Sequence, residues 1–200
     1  MKGVFIAIEG IDGCGKGTVI NRLGVELYTL DKNNHVFLTR EPYRYAHVTK
    51  LLTEKDATKR GDEALKLFVD DRVEHCKIVR QLVESGIIVV SDRYKHSTYA
   101  YQMAQGVPFE KIHQLHTGLI VPDLTIIVDI TAEEAIKRMA AEKRKQNSFE
   151  QQEFLDKVRA NYRRLRELLG ENIVYVDGMR DRESVYADVR KAVLQAIQAK

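Results

Sequence analysis

A glycine-rich stretch near the N-terminus has the residue types and spacing that suit phosphate binding. It reads GIDGCGKGT, so that Gly10 and Gly15 enclose four residues and Lys16 follows at once. Several backbone N–H groups must reach a phosphate together, and glycine allows this because it has no side chain and tolerates positive φ. The lysine adds a point charge for the terminal phosphates of a nucleotide. The predicted phosphate loop comprises Gly10, Ile11, Asp12, Gly13, Cys14, Gly15, Lys16, Gly17 and Thr18.

The loop departs from the usual pattern at Gly17, where a serine or threonine commonly supplies a hydroxyl to Mg²⁺. Thr18 carries the next hydroxyl, and we expect it to approach the metal directly or through a water molecule. A glycine-rich turn alone would be weak evidence. Here it follows an apolar run and precedes a helical pattern, which is the context that a phosphate loop requires.

A second group of charges lies at the end of another apolar run, in the stretch VVSDRY. Asp92 can hold Mg²⁺ or its water ligands, as the second acidic element of phosphate-loop enzymes does. Arg93 would then face the same cleft. A purely structural pair of Asp92 and Arg93 at the end of the strand is the alternative.

An arginine occurs within the apolar stripe of a predicted helix. Arg72 lies three residues after Val69 and four before Cys76. A buried arginine needs an anionic partner, and either an internal carboxylate or a substrate phosphate would serve. Phe68, one turn earlier, is either a core residue or an aromatic ring that stacks on a base.

Basic residues are concentrated in KRMAAEKRK, residues 137–145, where five of them accompany one acid. Beside a phosphate loop, the segment at about 138–150 is predicted to be a short lid that closes over the nucleotide and excludes water. Arg138 or Arg144 would place positive charge on the moving phosphoryl group. A solvated helix face is the alternative, and nucleic-acid binding is a weaker one.

Short apolar runs alternate with helical patterns along the whole chain. The predicted strands are Val4–Ile8, Val36–Thr39, Ile87–Val90, Leu124–Val128 and Ile173–Val176. The predicted helices are Lys16–Leu30, Asp62–Ser85, Ala132–Lys145, Glu150–Leu169 and Arg182–Ala199. This order predicts one α/β domain, residues 1–200, with a doubly wound parallel sheet. Ligands bind beyond the carboxyl ends of such strands, where the motifs above fall.

Composition narrows the class of protein. Apolar content is 44%, charged content 30% and net charge +3, so neither a disordered nor a membrane protein is expected, and charge alone does not indicate nucleic-acid binding. The chain starts directly in a predicted strand, and its two cysteines, Cys14 and Cys76, are too few for a disulfide framework. We therefore expect a cytoplasmic protein. No cysteine or acid completes a zinc site around the histidines.

Taken together, the motifs resemble the thymidylate kinase family over nearly the whole chain. The matching segments, in order, are IEGIDGCGKGT, TREP, LFVDDRVEH, SDRYKHSTYAYQ, PDLTIIVDI and FEQQEFLDKVRANYRRL. The resemblance implies a five-stranded parallel sheet, a homodimer, and direct in-line transfer of the γ-phosphoryl group of ATP to dTMP with Mg²⁺. It also implies nucleotide partners and neither a membrane nor a nucleic acid.

The resemblance assigns roles to matching positions. Lys16 and Arg93 would be catalytic, together with Arg144 or Arg138, because this loop lacks the arginine that some members carry there. Thr18 and Asp92 would serve the metal. The acceptor site would comprise Asp12 at the sugar 3′-hydroxyl, Arg40, Glu41, Phe68 on thymine, Arg72 and Arg93 at the monophosphate, Thr98 at the base edge and Tyr101 against the 2′ position.

Two alternatives stay open on the residues themselves. Another kinase of the same fold could use dUMP, a different monophosphate or a deoxynucleoside. A nucleotide-dependent switch would need the phosphate loop but no second phosphate pocket. The presence of both Arg72 and Arg93 favours an acceptor that already carries a phosphate.

Overall fold

The computed structural model describes residues 3–44, 48, 61–141 and 149–200. Its centre is a five-stranded sheet with the strand order β2-β3-β1-β4-β5, and every neighbouring pair is parallel. The strands are β1 (Val4–Glu9), β2 (Val36–Arg40), β3 (Ile88–Asp92), β4 (Leu124–Asp129) and β5 (Ile173–Asp177). The first strand therefore lies in the middle, and the loop that follows it emerges at the centre of the carboxyl edge.

Helices cover both faces of the sheet. Those of the described residues are α1 (Lys16–Leu30), α2 (Gly61–Glu84), α3 (Lys95–Ala104), α4 (Phe109–His116), α5 (Ala132–Ala141), α6 (Phe149–Leu169) and α7 (Arg182–Gln198). None of these helices is both long enough and apolar enough to cross a membrane.

The core follows from the alternation of side chains along β1, all of which is buried. Ile6 and Ile8 belong to a large apolar cluster that includes residues of α1 and α7. Phe5 and Ala7 point the other way, into a cluster with Cys76 of α2. Glu9 falls on the same side as Phe5 and Ala7. A carboxylate at the end of a buried strand must find hydrogen-bond donors, which the following helices supply.

The predicted doubly wound parallel sheet is confirmed. The strands differ from the prediction in small ways: most run one residue further, to Glu9, Arg40, Asp129 and Asp177, and β3 begins one residue later and ends at Asp92. Each added residue is polar, so the apolar pattern in the sequence ends before the strand does. The helix expected over Ala132–Lys145 is described as far as Ala141, and residues 142–148 lie outside the described part.

Two helices, α3 and α4, were not predicted. The inward face of α3 carries Lys95, His96, Thr98 and Gln102 among its buried residues. Because polar side chains occupy that face, α3 has no clear apolar stripe. Helix α4 has only eight residues, two of them buried, which is too short for a periodic signal.

Candidate active site

The phosphate loop joins β1 to α1 at the centre of the carboxyl edge. Gly10, Gly13 and Gly15 all have positive φ, of 139°, 82° and 96°. A Cβ atom at Gly10 would lie 2.5 Å from the Val128 carbonyl oxygen, and one at Gly13 would lie 2.7 Å from that of Ala135. Backbone conformation and close packing against β4 and α5 therefore both require glycine at these two positions.

Lys16 is folded into its own loop. Its Nζ donates to the carbonyl oxygens of Gly10 and Ile11 at 3.0 and 3.1 Å and lies 3.6 Å from Cys14 Sγ. The side chain is only 7% exposed. Gly15, the residue before the helix, makes no side-chain cap, so the first N–H groups of α1 face the loop with the positive end of the helix dipole. Backbone and lysine together form an anion site.

The glycine at position 17 is not required by packing. Its φ is not positive, and a Cβ atom there would meet no heavy atom within 4 Å. Gly17 and Thr18 are both exposed in the first turn of α1. The structure therefore has space for the hydroxyl that Gly17 lacks, and Thr18 offers one a single position later.

Arg93 lies beside the phosphate loop and shares an acceptor with Lys16. Its Nη1 donates to the Gly10 carbonyl oxygen at 3.2 Å and to Ser97 Oγ at 2.9 Å, and its Nη2 pairs with Asp12 Oδ1 at 2.5 Å. Its Cζ is 5.3 Å from the centre of the Tyr101 ring, which adds a cation–π contact. Two cations thus converge on one neutral carbonyl oxygen at the mouth of the loop.

The backbone of Arg93 is unusual. Its φ of 70° is left-handed, a conformation that non-glycine residues adopt rarely and that tends to occur at functional sites. Hydrogen bonds enclose it on both sides: Arg93 N donates to the Ile8 carbonyl at 3.0 Å, and Ser91 Oγ donates to the Arg93 carbonyl at 2.6 Å. This conformation turns the guanidinium towards the phosphate loop.

Asp92 fits the role of a metal-serving carboxylate. It is the last residue of β3, next to the central strand. Its Oδ1 is buried and has no hydrogen-bond partner among the described residues, while Oδ2 lies 4.0 Å from a nitrogen of the exposed Arg40. An unsatisfied buried carboxylate oxygen suits Mg²⁺ or one of its waters. No group of three or more His, Cys, Asp or Glu in the described ranges could hold a metal by itself.

Arg72 lies in a separate buried cluster with Glu41, Thr98 and His116. It is 2% exposed, as its place in the apolar stripe predicted, and its Nε donates to Glu41 Oε2 at 2.7 Å. Nη1 lies 2.6 Å from His116 Nε2, and Nη2 donates to Thr98 Oγ1 at 3.0 Å. Glu41 is itself buried and also contacts His75 at 3.0 Å. The internal carboxylate is therefore Glu41, and burial alone no longer argues for a phosphate at Arg72.

The hydrogen bonds of His116 determine its protonation. Nδ1 lies 2.7 Å from the Ile112 carbonyl and so carries the proton, which leaves Nε2 to accept from Arg72. Burial and the neighbouring positive charge of Arg72 lower the pKa of His116 to about 3. The imidazole is therefore neutral at physiological pH and orients the arginine without adding charge.

Three aromatic or polar candidates lie around these arginines. Thr98 is 2% exposed and Tyr101 is half-buried, with its hydroxyl 3.5 Å from Arg93 Nη2. Phe68 is half-buried on α2, one turn before Arg72, and belongs to neither apolar cluster of the described residues. A half-buried ring outside the core suits a stacking surface better than a core role.

The two arginines expected in the lid have different positions. Arg138 lies on α5, where Nε donates to Glu134 Oε1 at 2.7 Å and Nη2 donates to the Gly178 carbonyl at 3.1 Å. It is thus held against the end of β5. Arg144 lies outside the described residues, as does most of the segment at 138–150.

Sequence reasoning missed Glu9, Ser97 and Tyr162, which surround the Arg93 guanidinium. Glu9 is fully buried and accepts hydrogen bonds from Ser97 and Tyr162. The available signal was the single acid that ends the otherwise apolar run VFIAIE. Ser97 and Tyr162 give no comparable signal, because their positions depend on helix packing.

A parallel sheet with a glycine-rich loop around its own lysine, and with Arg93 paired to Asp12 beside that loop, is typical of a phosphate-loop kinase. Comparisons with known proteins place the chain among the nucleoside monophosphate kinases. The profile of the thymidylate kinase family matches residues 8–189.

Curated relatives agree along almost their full length. The chain is 38% identical to the probable thymidylate kinase of Methanosarcina mazei, over 99% of this chain and 98% of the relative. It is 38% identical to the probable thymidylate kinase of Pyrobaculum calidifontis, over 97% of each, and 30% identical to the thymidylate kinase of Brachyspira hyodysenteriae, over 98% and 96%. The chain belongs to the thymidylate kinase family, whose function is ATP-dependent phosphorylation of dTMP.

Proposed function

We propose that this protein transfers the γ-phosphoryl group of ATP to dTMP, giving ADP and dTDP, by direct in-line displacement. The observation that carries the proposal is the convergence of Lys16 and Arg93 on the Gly10 carbonyl oxygen, at 3.0 and 3.2 Å. Both cations reach the same neutral oxygen, and the carboxylate that pairs with Arg93, that of Asp12, is half-exposed, so a phosphoryl group between donor and acceptor would meet concentrated positive charge there. An acceptor phosphate oxygen is already anionic at neutral pH, so no general base is needed.

Each side of the proposed reaction has its own residues. On the donor side, the loop from Gly10 to Thr18 holds the ATP phosphates, with Lys16 at the terminal ones. On the acceptor side, Arg93 holds the monophosphate and the transferring group, and Arg72 adds its charge to the same pocket from beside Thr98. Positioning and electrostatic stabilisation together are sufficient for phosphoryl transfer.

The remaining acceptor contacts follow the family roles. We assign Phe68 to stacking on thymine, Thr98 to the polar edge of the base and Asp12 to the sugar 3′-hydroxyl. Tyr101 crowds the 2′ position and so favours deoxyribose. Arg40 and Glu41 line the same pocket. The buried Glu41 acts through Arg72, whose Nε it accepts at 2.7 Å.

Mg²⁺ is the metal we propose, served by Thr18 and by the unpartnered Oδ1 of Asp92. When bound, it would supply positive charge that offsets the negative charge of the nucleotide phosphates. The test is a Mg²⁺ titration of turnover, in which Asp92→Asn and Thr18→Ala should each need more metal for half-maximal rate. Unchanged metal dependence in both variants would contradict the assignment.

A lid at about 138–150 completes the proposed site and excludes water during transfer, with Arg144 or Arg138 supplying the last positive charge. Arg138 is already held at the Gly178 carbonyl, so we assign this role to Arg144 first. We further propose that the enzyme works as a homodimer in the cytoplasm, on the strength of the family resemblance. Light scattering coupled to gel filtration measures the oligomeric state.

The deciding experiment measures ADP formation from ATP and Mg²⁺ with a panel of acceptors: dTMP, dUMP, ribothymidine monophosphate, dCMP, AMP, thymidine and none. We expect strong turnover on dTMP, weaker turnover on dUMP and little on the ribonucleotide. Turnover mainly on another acceptor would overturn the roles of Phe68, Thr98 and Tyr101. Tight ATP binding with no acceptor-dependent turnover would favour a nucleotide switch instead.

A further inference from the structure

We infer that Glu9 is a positioning residue for Arg93: it caps helix α3 from the end of β1 and orients the hydroxyl groups that hold the guanidinium. The inference rests on the proposed function, because it takes Arg93 to be the arginine that meets the acceptor phosphate. Glu9 itself touches no substrate in this account and acts through Arg93.

The first observation is the start of helix α3. Its N-cap residue is Tyr94, whose side chain makes no cap hydrogen bond because its hydroxyl lies at the Ile120 carbonyl instead. Glu9 takes over that task, because its Oε1 accepts from the backbone N–H of Tyr94 at 2.7 Å and of Ser97 at 3.1 Å. A carboxylate is favoured there by the helix dipole as well as by the hydrogen bonds.

The second observation is the other oxygen of the same carboxylate. Glu9 Oε2 accepts from Ser97 Oγ at 2.6 Å and from the Tyr162 hydroxyl at 2.9 Å. Each hydroxyl has one proton, and donating it to Glu9 leaves only lone pairs to offer elsewhere. Arg93 Nη1 lies 2.9 Å from Ser97 Oγ and 3.5 Å from the Tyr162 oxygen, and the two hydroxyl oxygens are 2.9 Å from each other. The carboxylate, the two hydroxyls and the guanidinium thus form one hydrogen-bond network, in which the hydroxyls accept from Arg93.

The third observation is the strained backbone that Glu9 supports. Arg93 has a φ of 70°, and the next residue, Tyr94, is the one whose N–H is held by Glu9. Left-handed backbone at a residue other than glycine persists only where its surroundings enforce it. Glu9 is completely buried, so its four hydrogen bonds are not weakened by competing water.

These contacts predict that the carboxylate charge of Glu9, and not only its shape, aligns Arg93. Replacing Glu9 by glutamine keeps the shape and can keep the helix cap through its oxygen. The new NH₂ group then faces the two hydroxyls, which must accept from it instead of donating to it. Their protons turn elsewhere, and each has less acceptor capacity left for Arg93. The guanidinium loses its alignment although the chain can still fold.

The experiment compares Glu9→Gln with the unmodified protein in dTMP-dependent ADP formation, together with the thermal midpoint of unfolding. We expect kcat/KM for dTMP to fall about tenfold or more, the scale of one lost charge-assisted contact, while KM for ATP changes less than about threefold. The matched control is Glu26→Gln, because Glu26 also accepts from a tyrosine hydroxyl, that of Tyr186, but on the α1–α7 side of the sheet. It should leave kcat/KM unchanged.

A double-mutant cycle separates positioning from general damage. In an Arg93→Ala background, Glu9→Gln should change the dissociation constant of dTMP, measured by calorimetry, by less than about twofold, because the residue through which Glu9 acts is gone. The same fold-change in both backgrounds overturns the inference. So does a Glu9→Gln protein with a lower melting temperature but full kcat/KM.

If Glu9→Gln does not fold, Tyr162→Phe tests the same inference, because it removes one of the two hydroxyls and leaves the helix cap intact. A clear fall in kcat/KM for dTMP supports the inference, and an unchanged value overturns it. An unmodified protein that does not phosphorylate dTMP overturns the proposed function, and this inference with it. If the unmodified protein phosphorylates dTMP but neither Glu9→Gln nor Tyr162→Phe lowers kcat/KM for dTMP, only the inference about Glu9 is overturned.

Discussion

The Gly10 carbonyl oxygen accepts from both Lys16 and Arg93, so two positive charges meet at one neutral oxygen of the loop. Arg93 does pair with Asp12, but that carboxylate is half-exposed and so is well screened by solvent. The positive charge of the loop is therefore prepared before the substrates arrive. Such preorganisation costs no rearrangement at the moment of transfer.

The first prediction at this scale concerns Lys16. Lys16→Ala should lower kcat at least about a hundredfold, as loss of a preorganised charge at a developing anion does elsewhere. Steady-state ADP formation with saturating ATP and dTMP measures it. The control is Lys32→Ala, an exposed lysine just beyond α1. A Lys16→Ala protein with its kcat retained would refute the phosphate-loop mechanism.

The second prediction concerns Arg72. Arg72→Ala should raise KM for dTMP at least about tenfold, because a polar group of the acceptor pocket is lost, and leave KM for ATP within about threefold. The variant should also be less stable by about 3–5 kcal/mol, since Glu41 would be left buried without its cation. Kinetics are therefore measured after circular dichroism has shown a folded protein.

Arg80→Ala, an exposed arginine of the same helix, is the matched control for Arg72 and should leave both constants unchanged. Equal increases in both KM values would remove Arg72 from the acceptor side. The sequence left two partners open for this arginine, a carboxylate or a phosphate. It could not decide between them, because Glu41 is 31 residues away in the chain and meets Arg72 only when β2 and α2 come together.

At the scale of elements, the acceptor pocket depends on how α2, α3 and α4 meet. Arg72 of α2 contacts Thr98 of α3 and His116 of α4 through a single guanidinium. One buried side chain therefore fixes three helices relative to one another. On the inward face of α3, Thr98 serves this junction, whereas Lys95 and His96 pair with Glu171.

A pH dependence of stability follows from that junction. The pKa of His116 is lowered to about 3 in the folded chain, whereas an unfolded histidine titrates near about 6.5. Between these values the unfolded chain binds a proton that the folded chain does not, so stability falls as the pH falls below about 6.5. The effect is about 1.4 kcal/mol per pH unit, or about 2 kcal/mol at pH 5.

Urea unfolding at pH 7 and pH 5 measures this effect. His116→Gln should lose about 2 kcal/mol less than the unmodified protein over this interval, because it has no proton to gain. His113→Gln is the control, an exposed histidine of the same helix, and should behave like the unmodified protein. If His116→Gln showed the same loss as the unmodified protein, the buried neutral imidazole would not be the cause.

Helix α6 makes a second junction between elements. Arg159 forms two hydrogen bonds with Asp129, at 2.6 and 3.0 Å, and Arg163 forms two more, at 3.1 and 2.8 Å. Burial alone would raise the pKa of Asp129, but the hydrogen bonds from the two arginines outweigh it and hold the pKa below its usual value. Through Asp129, the two arginines hold α6, the helix that carries Tyr162, against the carboxyl end of β4.

For the whole molecule, substrate binding should be visible as added stability. A ligand that binds only the folded chain stabilises it by about 2.7 kcal/mol at a hundred times its dissociation constant. For a chain of this length that corresponds to a rise in melting temperature of about 5–10 °C. We expect such a rise with ATP and with dTMP added separately, measured by differential scanning fluorimetry.

The same measurement separates the two substrate sites. Arg93→Ala should abolish most of the shift caused by dTMP and keep most of that caused by ATP, because only the acceptor phosphate depends chiefly on this arginine. Loss of both shifts would show that the two sites cannot be treated separately. Retention of both would remove Arg93 from phosphate binding.

The sequence by itself determined the class of fold, the phosphate loop and most of the candidate residues. These depend on local signals: glycines where the backbone needs positive φ, apolar runs that must be buried, and a lysine next to a helix start. Gly10, Lys16 and Asp92 could be named because each belongs to a continuous stretch whose chemistry is complete within a few residues. Physical constraints of this kind act between neighbouring residues, so the sequence alone is enough to identify them.

Only the tertiary structure decided which distant groups meet. Glu9 is 88 residues from Ser97 and 153 from Tyr162, yet it joins them around Arg93, and Glu41 rather than a phosphate neutralises Arg72. Helix α3 was hidden for the same reason, since its buried face is satisfied by partners from other elements. A buried polar group needs a partner but does not specify where in the chain that partner lies, so its identity emerges only when the elements pack.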